Sequence, residues 1–544
     1  MPQLLVGPLL RYTGSTQATV WVETDAACEV VVLGRTARTF QIEGHHYAIV
    51  ALEDLEPASE TPYEVHLDDT RAWPPDDGRP PSTIHTRNHE RQSLLVFGSC
   101  RLGAPQHPPW TLEVDEDPYA VGVDALWAYA RRLQAGREPW PDCLLLLGDQ
   151  VYADEVSPET LEFIRDRRDT SQPPGEQVAD FEEYTQLYRE AWSDPDIRWL
   201  LSTVPSTMIF DDHDVHDDWN ISDAWVRDMR ALPWWEARIT GAFMAYWAYQ
   251  HLGNLAPPEL AEERLYAEVQ GVEDGGPLVR AFAHRSDRET TSARFAFHRD
   301  FGRSRLVVVD SRAARVLADG RRDMVDDEEW AWIVEHAQGS YDHLVIASTL
   351  PVFMLPGAHH VEAWNEAVCS GAWGGLAARA GEQLRRALDL EHWPAFHRSF
   401  AIMVALLGEL GRGGEGEPPP ATITLLGGDV HTAYLADVNV PGGGGSRVYQ
   451  AVCSPFRNPL AAKERRVIKT TNTRLVCTLA RGLARLAGVR PTGARWRTVA
   501  GPTFDNSIAM LQLDERAATL TICRSCPEDE DGPVLQVLHR RELA

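Results

Sequence analysis

The chain has 544 residues, which suggests two or three domains rather than one simple core. Hydrophobic residues make up 44% and aromatic residues 9% of the sequence, as expected of a globular protein with a large core. The formal charge of -28 argues against a general nucleic-acid-binding surface, and it favours multivalent cations at clustered carboxylates. The eight cysteines are too few for a disulfide scaffold in a chain of this length.

The N-terminal residues do not have the pattern of a signal peptide or a twin-arginine leader. No uninterrupted apolar stretch approaches the roughly 18 residues that a membrane-spanning helix needs. We therefore expect a cytoplasmic protein without a transmembrane segment.

Residues 1–88 contain short runs in which polar and apolar residues alternate, with turn residues between the runs. This spacing is typical of an antiparallel β-sandwich. A Pro-rich turn at 72–81 follows, and we expect the domain boundary within 80–92. No cluster of catalytic residue types lies in this first domain.

Residues 89–544 have a different pattern, in which buried-looking apolar runs are separated by helical segments. The runs are 94–98, 143–147, 305–309, 344–347 and 421–426. Helices are predicted near 120–135, 158–201, 222–252 and 327–336, a Gly-rich linker at 408–420, and a closing antiparallel meander between 507 and 538. This order predicts an α/β core with much parallel sheet.

The segment 457–497 reverses the charge balance of the chain, because it has eleven Arg or Lys and only one acidic residue, Glu464. Four leucines within it fit one helical face, Leu475, Leu479, Leu483 and Leu486. We expect a basic helix that packs on the acidic body of the protein. The alternative is an amphipathic helix that contacts membrane lipid or an anionic substrate.

Polar clusters stand at the ends of four predicted strands. They are Ser99-Cys100-Arg101, Gly148-Asp149-Gln150-Val151-Tyr152, Asp211-Asp212-His213-Asp214 and Gly428-Asp429-Val430-His431. Ligands gather beyond the carboxyl ends of strands in such sheets, and carboxylates with imidazoles form a plausible metal site. The dense acidic run after residue 210 also needs positive charge nearby if it is ordered.

Together, these motifs resemble the metallophosphoesterase superfamily and most closely its PhoD-type alkaline phosphatases, which have SCQ, GDxxYE, DDHE and GDxH segments at the same places. Tyr188-Arg189 before Asp194-Pro195, and Asp310-Ser311-Arg312, match further segments of that family. The resemblance implies a metallophosphoesterase-like β-sandwich core flanked by helices over 89–544, with a basic helical insertion at 457–500 and a small N-terminal β-sandwich domain. The chain departs from the family pattern at Arg101, Asp214 and Asp217-Asp218, which replace Gln, Glu and an Asn pair.

The resemblance also implies roles for individual residues. Metal ligands would be Cys100, Asp149, Tyr152, Asp212, Asp429 and His431, with Asp149 shared between ferric iron and calcium. Thiolate and phenolate ligands suit Fe³⁺ and carboxylates suit Ca²⁺, whereas Zn, Mn or Mg is the alternative pair. His213 would stabilise the transition state or protonate the leaving group. In extended backbone, it would face away from its neighbour Asp212. Arg312 would meet substrate phosphate or form a structural ion pair.

The predicted function is therefore metal-dependent hydrolysis of phosphoric esters by a metal-activated hydroxide, in an alkaline-phosphatase-like monoesterase or diesterase. One alternative is a phosphodiesterase that acts on a lipid or nucleotide, with the basic segment as its platform. The other is a non-catalytic calcium-binding module. We expect a small-molecule or lipid phosphate ester as substrate, no nucleic-acid surface, and peripheral membrane contact through 457–497 as a possible addition.

Overall fold

The computed structural model describes residues 1–87, 92–318, 320–414, 418–529 and 532–544. The predicted domain boundary at residue 88 and part of the predicted linker at 408–420 fall outside these described residues. Within the described chain, none of the helices combines the length and the apolar composition that crossing a membrane requires.

The N-terminal part folds as a small β-sandwich, as its alternating pattern predicts. Strands β1 to β10 are Leu4–Thr13, Ala18–Thr24, Glu29–Val32, Arg35–Arg38, Phe40–Ile42, His45–Leu52, Glu60–Pro62, Val65–Leu67, Thr70–Trp73 and Thr83–His85. Two antiparallel sheets have the orders β1-β2-β6-β5 and β4-β3-β8-β9. Their inward side chains form one buried cluster that includes Val20, Val30, Val50 and Val65.

The larger part is built on two further sheets. Strands β11 to β23 are Ser93–Gly98, Cys143–Leu147, Ser206–Ile209, Phe297–Phe301, Ser304–Val309, His343–Ser348, Thr422–Gly427, Ala433–Asn439, Arg447–Val452, Arg495–Thr503, Ser507–Asp514, Ala517–Asp529 and Gly532–Glu542. One sheet has the order β13-β12-β11-β21-β22-β23, and the other has the order β14-β15-β16-β17-β19-β18-β20. Strands β11, β12 and β13 are parallel, and so are β15, β16, β17 and β19.

The two sheets are the layers of a sandwich, and the side chains of β15 show why. Leu306 and Val308 point into the cluster shared with the first sheet, whereas Val307 and Val309 pack on helices outside. Successive residues of a strand face opposite sides, so a continuous apolar run is buried only when both faces are covered. The α/β prediction is confirmed, and the core is the predicted β-sandwich flanked by helices.

Helices surround the sandwich. Helices α1 to α16 are Ala125–Gln134, Pro158–Arg167, Phe181–Trp192, Pro195–Thr203, Asp223–Arg230, Trp235–Ala245, Leu252–Asn254, Pro257–Glu262, Arg264–Gln270, Gly276–Arg288, Asp327–Ala337, Pro356–Cys369, Gly375–Ala387, His397–Leu410, Ala462–Thr471 and Arg474–Leu486. The predicted helix over 158–201 is three helices, because a Pro-Pro-Gly sequence at 173–175 and the Asp194-Pro195 start signal interrupt it. The predicted helix over 222–252 is likewise divided into α5, α6 and a π-helical turn, Tyr246–His251.

The N-terminal sandwich is docked on the elements that carry the strand-end motifs. The fully buried guanidinium of Arg11 donates hydrogen bonds to the carbonyls of Ser206 at 3.1 Å, Tyr249 at 2.6 Å and Gln250 at 2.8 Å. Ser206 is the first residue of β13, the strand that leads to Asp211. The small domain therefore holds the start of a strand whose end carries the densest acidic motif.

The basic segment differs from expectation in two ways. It is helical only over α15 and α16 and then enters β20, which pairs with β18. Helix α16 packs on α12 through the small residues Ala480 and Ala484, and its leucines remain exposed. The alanine stripe lets the two helices approach closely, so the larger apolar stripe lies outside the contact.

Candidate metal centre

Three of the predicted motifs meet where strands of the two sheets end. Cys100 follows β11, Asp149 follows β12, and Asp429 follows β17 in the other sheet. The backbone N–H of Asp429 donates to Ser99 Oγ at 3.0 Å, and Cys100 Sγ lies 3.5 Å from the Asp429 carbonyl oxygen. A Cβ atom at Gly428 would overlap Ser99 Oγ, so the close approach of the two strand ends requires glycine there.

The converging side chains form two overlapping groups of potential ligands. Cys100, Asp149 and Asp429 have ligand atoms within 4.8 Å of one another, and so do Asp149, Asp211, Asp212 and Asp429. Asp149 and Asp429 belong to both groups. Asp212, His213 and Asp217 form a third group, which is more exposed. A shared carboxylate between two adjacent groups is the arrangement that a pair of ions requires.

The backbone at this centre is locally strained. Cys100, Asp149, Asp429 and His431 have φ values of 55°, 51°, 61° and 44°. Residues other than glycine rarely adopt this left-handed region, and such outliers collect at functional sites.

The centre has too little positive charge for its carboxylates. Burial raises the pKa of Asp149, and the neighbouring carboxylates raise it further although His213 lowers it. Burial likewise raises the pKa of the Cys100 thiol, helped by Asp149 and Asp429. Asp149 Oδ1 and Asp211 Oδ2 are buried, and neither has a hydrogen-bond partner in the described parts of the chain. Buried oxygens of this kind need a partner, and a cation supplies one.

Tyr152 and His431 lie beside these groups. The Tyr152 hydroxyl accepts a hydrogen bond from Asn458 Nδ2 at 3.1 Å, and burial raises its pKa, with Cys100 and Asp149 adding to the effect. Burial lowers the pKa of His431 to about 4, against the opposing charge of Asp429, so the imidazole is neutral and able to bind a metal. Among the described residues, His431 belongs to neither group of ligand atoms.

Comparison with known proteins agrees with this geometry. Residues 125–391 match the model of the PhoD-like phosphatase family, and residues 1–85 match a domain of unknown function, DUF7800. Residues 125–391 therefore belong to the PhoD-like phosphatase family. This domain makes the protein a hydrolase of phosphoric esters. No curated protein sequence matches the chain.

The fold of this PhoD-like phosphatase is shared by a solved structure. The structure titled "Structure of PhoD" is 11% identical, with a TM-score of 0.59, and the alignment covers 99% of this chain and 92% of that one. A purple acid phosphatase from yellow lupin (Lupinus luteus) seeds is 12% identical, with a TM-score of 0.47, over 99% of this chain and 74% of that one.

Arg312 of this PhoD-like phosphatase is completely buried and forms ion pairs with carboxylates. Its guanidinium contacts Asp211, Asp212 at 3.0 Å and Glu391 at 2.5 Å. Two roles are predicted for Arg312, a contact with substrate phosphate and a structural ion pair. The structure shows ion pairs, and the guanidinium is not exposed to a substrate. Arg312 supplies part of the positive charge that the acidic run required.

His213 is oriented by Asp154, a residue that the sequence analysis did not single out. His213 Nδ1 lies 3.0 Å from Asp154 Oδ1, and the rings of His213 and Tyr152 are 4.7 Å apart. Burial alone would lower the pKa of His213, but the hydrogen bond and charge of Asp154 outweigh it and hold this pKa well above its usual value. Residues 212–215 form a turn, so the argument from extended backbone for the direction of His213 does not apply.

A second buried pair supports Asp429. His392 Nε2 lies 3.1 Å from Asp429 Oδ2, and His392 Nδ1 lies 2.9 Å from Glu362 Oε1. Glu362 is on α12, whereas His392 lies in the irregular stretch before α14. Neither follows a predicted strand, so the strand-end signal could not find them. His392, held by Glu362, fixes the orientation of the Asp429 carboxylate.

A cavity of about 430 Å³ opens beside the centre, and Tyr152 forms part of its wall. Trp110, Tyr119, Val156 and Leu187 supply apolar wall, and Glu155 and Glu190 are among the polar residues that line it. The cavity has room for a small organic group beside Tyr152.

Proposed function

We propose that the protein hydrolyses phosphoric esters with a pair of metal ions, held by Cys100, Asp149, Tyr152, Asp212, Asp429 and His431. The observation that carries the proposal is the pair of ligand groups that share Asp149 and Asp429, with buried oxygens that have no hydrogen-bond partner among the described residues. When bound, such a pair lowers the pKa of water and neutralises phosphoryl oxygens. The residues fit this role because the four carboxylates of the second group would otherwise repel one another.

The donor types favour iron with calcium. The Cys100 thiol and the Tyr152 phenol are donors that suit a ferric ion, whereas Asp212 adds a carboxylate oxygen of the kind that calcium binds. Asp149 belongs to both groups of ligand atoms, and its Oδ2 lies 3.2 Å from Cys100 Sγ. Zinc, manganese or magnesium is the alternative pair.

In this proposal, His213 provides the proton for the leaving oxygen. Asp154 fixes Nδ1, so Nε2, which lies 3.8 Å from Asp217 Oδ1, is the nitrogen that can meet substrate. The His213 side chain is 18% exposed, whereas that of Asp154 is 6% exposed, so the imidazole is the member of the pair that substrate can reach. General acid catalysis of this kind is typically worth about 10²- to 10⁴-fold in rate.

Phosphodiesters are a second candidate class of substrate, and the cavity beside Tyr152 favours them. A diester carries two organic groups, and the cavity offers an apolar wall for one of them. Hydrolysis of p-nitrophenyl phosphate is to be compared with hydrolysis of bis(p-nitrophenyl) phosphate, with and without chelator, while metal content is measured.

The matched variants for this assay are Asp149→Ala, in the centre, and Asp54→Ala, whose carboxylate is 88% exposed on the N-terminal domain. We expect Asp149→Ala to lose metal and turnover together and Asp54→Ala to retain both. Absence of hydrolysis of either ester by the wild-type protein, after addition of each candidate metal in turn, would refute the proposal.

A further inference from the structure

The helical hairpin α15–α16 presents an unpartnered apolar stripe to solvent. Leu475, Leu479, Leu483 and Leu486 are between 41% and 76% exposed. Because an α-helix has 3.6 residues per turn, these four positions fall on one face of α16. Ala480 and Ala484, which are buried, lie on the adjoining face that packs against α12. The largest apolar side chains of the helix are thus the ones that the fold leaves uncovered.

The same hairpin carries a concentrated positive charge on an acidic protein. Between residues 462 and 486 there are seven Lys or Arg and one Glu, in a chain whose net charge is -28. No ion pair joins any of these seven side chains to a carboxylate in the parts of the chain that the structure describes. Their charges therefore remain available to an external anionic partner.

The arginines of α16 lie on a third face. Arg474, Arg481 and Arg485 recur at spacings of seven and four residues, so they share one side of the helix, about 100° from the alanine face and about 140° from the leucine stripe. Only Arg481 has a side-chain partner in the described structure, His360 Nε2 on α12 at 3.0 Å. A helix with leucines on one face and arginines on another is amphipathic, as are the helices that lie in the interface of an anionic membrane.

We infer that the hairpin α15–α16 docks the protein on an anionic lipid surface, with the four leucines inserted and the basic side chains at the headgroups. The commitment to lipid rests on charge complementarity, because the protein as a whole is acidic whereas the hairpin is strongly basic and would attract an anionic surface. The inference does not rest on the proposed function, because it concerns binding and not hydrolysis.

The hairpin is joined directly to the candidate metal centre. Asn458, four residues before α15, donates to the Tyr152 hydroxyl at 3.1 Å. Ile468 of α15 and Val430, which lies between Asp429 and His431, pack on the same apolar cluster. Asn472, in the turn between the helices, accepts a hydrogen bond from the N–H of Gly357 at 3.1 Å. Docking would therefore bring the centre close to the lipid surface.

The test is co-sedimentation of the holoprotein with vesicles. Vesicles of phosphatidylglycerol and phosphatidylcholine are compared with vesicles of phosphatidylcholine alone, at low salt and at high salt. We expect binding to the mixed vesicles, little binding to the neutral ones, and weakening by salt.

Two double variants, each with a control, separate the apolar and the charged contributions. Leu475→Ser with Leu479→Ser, and Arg474→Glu with Arg485→Glu, are each expected to weaken binding by more than about tenfold. The control for the leucines is Leu33→Ser, at a residue 42% exposed in the N-terminal domain. The control for charge is Arg227→Glu with Arg264→Glu, at residues whose side chains are 68% and 90% exposed outside the hairpin. Both controls should bind as the wild type does.

The substituted side chains are exposed, so the variants are expected to fold, and their circular dichroism and hydrolysis of soluble p-nitrophenyl phosphate check this directly. Absence of binding to the mixed vesicles would overturn the inference, and so would equal binding by the leucine variant. If light scattering shows a wild-type dimer that the leucine variant converts to a monomer, while vesicles bind neither, the face is a subunit interface instead. A protein that binds vesicles but hydrolyses no ester would contradict the proposed function alone.

Discussion

Asp214 holds the backbone of Asp149 in place, because its carboxylate oxygen Oδ2 accepts a hydrogen bond from the Asp149 N–H at 3.0 Å. The same oxygen accepts from the N–H of Asp211 at 2.9 Å, and Oδ1 accepts from the N–H groups of Gln150 and Val151. One buried carboxylate thus joins the ends of β12 and β13. The PhoD-type family has glutamate at this position, whereas here the shorter aspartate joins the two strand ends.

Replacement of Asp214 by asparagine should therefore destabilise the fold. The amide NH₂ group would face backbone donors, and a buried donor left without an acceptor costs about 1–3 kcal/mol. We expect the free energy of unfolding to fall by about 2–4 kcal/mol, as measured by urea denaturation with chelator present. Asp54→Asn, at an exposed position, should change it little. An unchanged unfolding curve for Asp214→Asn would show that the hydrogen bonds accepted by Asp214 do not stabilise the fold.

His213→Ala should remove turnover and leave the metal in place. The imidazole is held by Asp154 and is not a member of the two groups that share Asp149. We expect kcat to fall by about 10²- to 10⁴-fold while metal content per chain stays at the wild-type level. Metal analysis beside the rate measures both quantities.

Two comparisons make this result decisive. His216→Ala removes another imidazole from the same segment. The ring of His216 stacks on that of Trp234, so this variant should retain turnover. Asp149→Ala should lose metal and the stabilisation that metal gives to the fold. If His213→Ala loses its metal as fully as Asp149→Ala does, then His213 is a ligand and the acid role is wrong.

Much of the centre could be predicted from the sequence because parallel strands end at a common edge. Cys100 and Asp149 follow the neighbouring parallel strands β11 and β12, so their convergence follows from sheet topology. Asp429 follows β17 of the other sheet, so its approach also depends on how the two sheets pack. Asp154 and His392 follow no strand. Their positions depend on how irregular segments fold back on the centre, and no periodic pattern records that.

The helical face of α16 shows a second limit of sequence reasoning. The spacing of Leu475, Leu479 and Leu483 correctly predicts a helix, and burial of an apolar face is the usual consequence. Which stripe packs is decided by the partner helix, and here the alanines allow the closer approach to α12. The spacing of apolar residues predicts the helix and its apolar faces, but it does not predict which face a neighbouring helix covers.

Tyr152→Phe should change the colour of the protein if iron is bound. A phenolate bound to a ferric ion absorbs visible light through charge transfer, and phenylalanine has no oxygen with which to bind. We expect the purified wild-type protein to absorb in the visible range and the variant to lose or shift that band, as measured by absorption spectroscopy and metal analysis. Tyr119→Phe, in the wall of the same cavity, is the control. A colourless, active wild-type preparation containing only zinc or magnesium would exclude iron.

The contact between the N-terminal domain and α3 should make stability depend on pH. His45 lies between Glu23 and Glu182, with its ring nitrogens 2.9 Å and 2.8 Å from their carboxylates. Burial alone would lower the pKa of His45, but the hydrogen bonds to Glu182 and Glu23 outweigh it and raise the pKa to about 9. The ordinary pKa of histidine is about 6.5, so the folded state binds the proton more tightly than the unfolded state does.

The sign of the effect follows from this difference. Below about pH 6.5, both states are protonated at His45 and the stabilisation is complete, whereas it is lost progressively as the pH rises toward about 9. We expect a contribution on the order of 1–3 kcal/mol to the free energy of unfolding, measured by urea denaturation across this range in chelated protein. His45→Gln keeps a polar side chain without the charge, so its stability should vary less with pH over the same window. His66→Gln, at a half-exposed histidine of the same domain, should retain the wild-type dependence. Equal slopes for wild type and His45→Gln would mean that the Glu23–His45–Glu182 triad does not set the pH dependence.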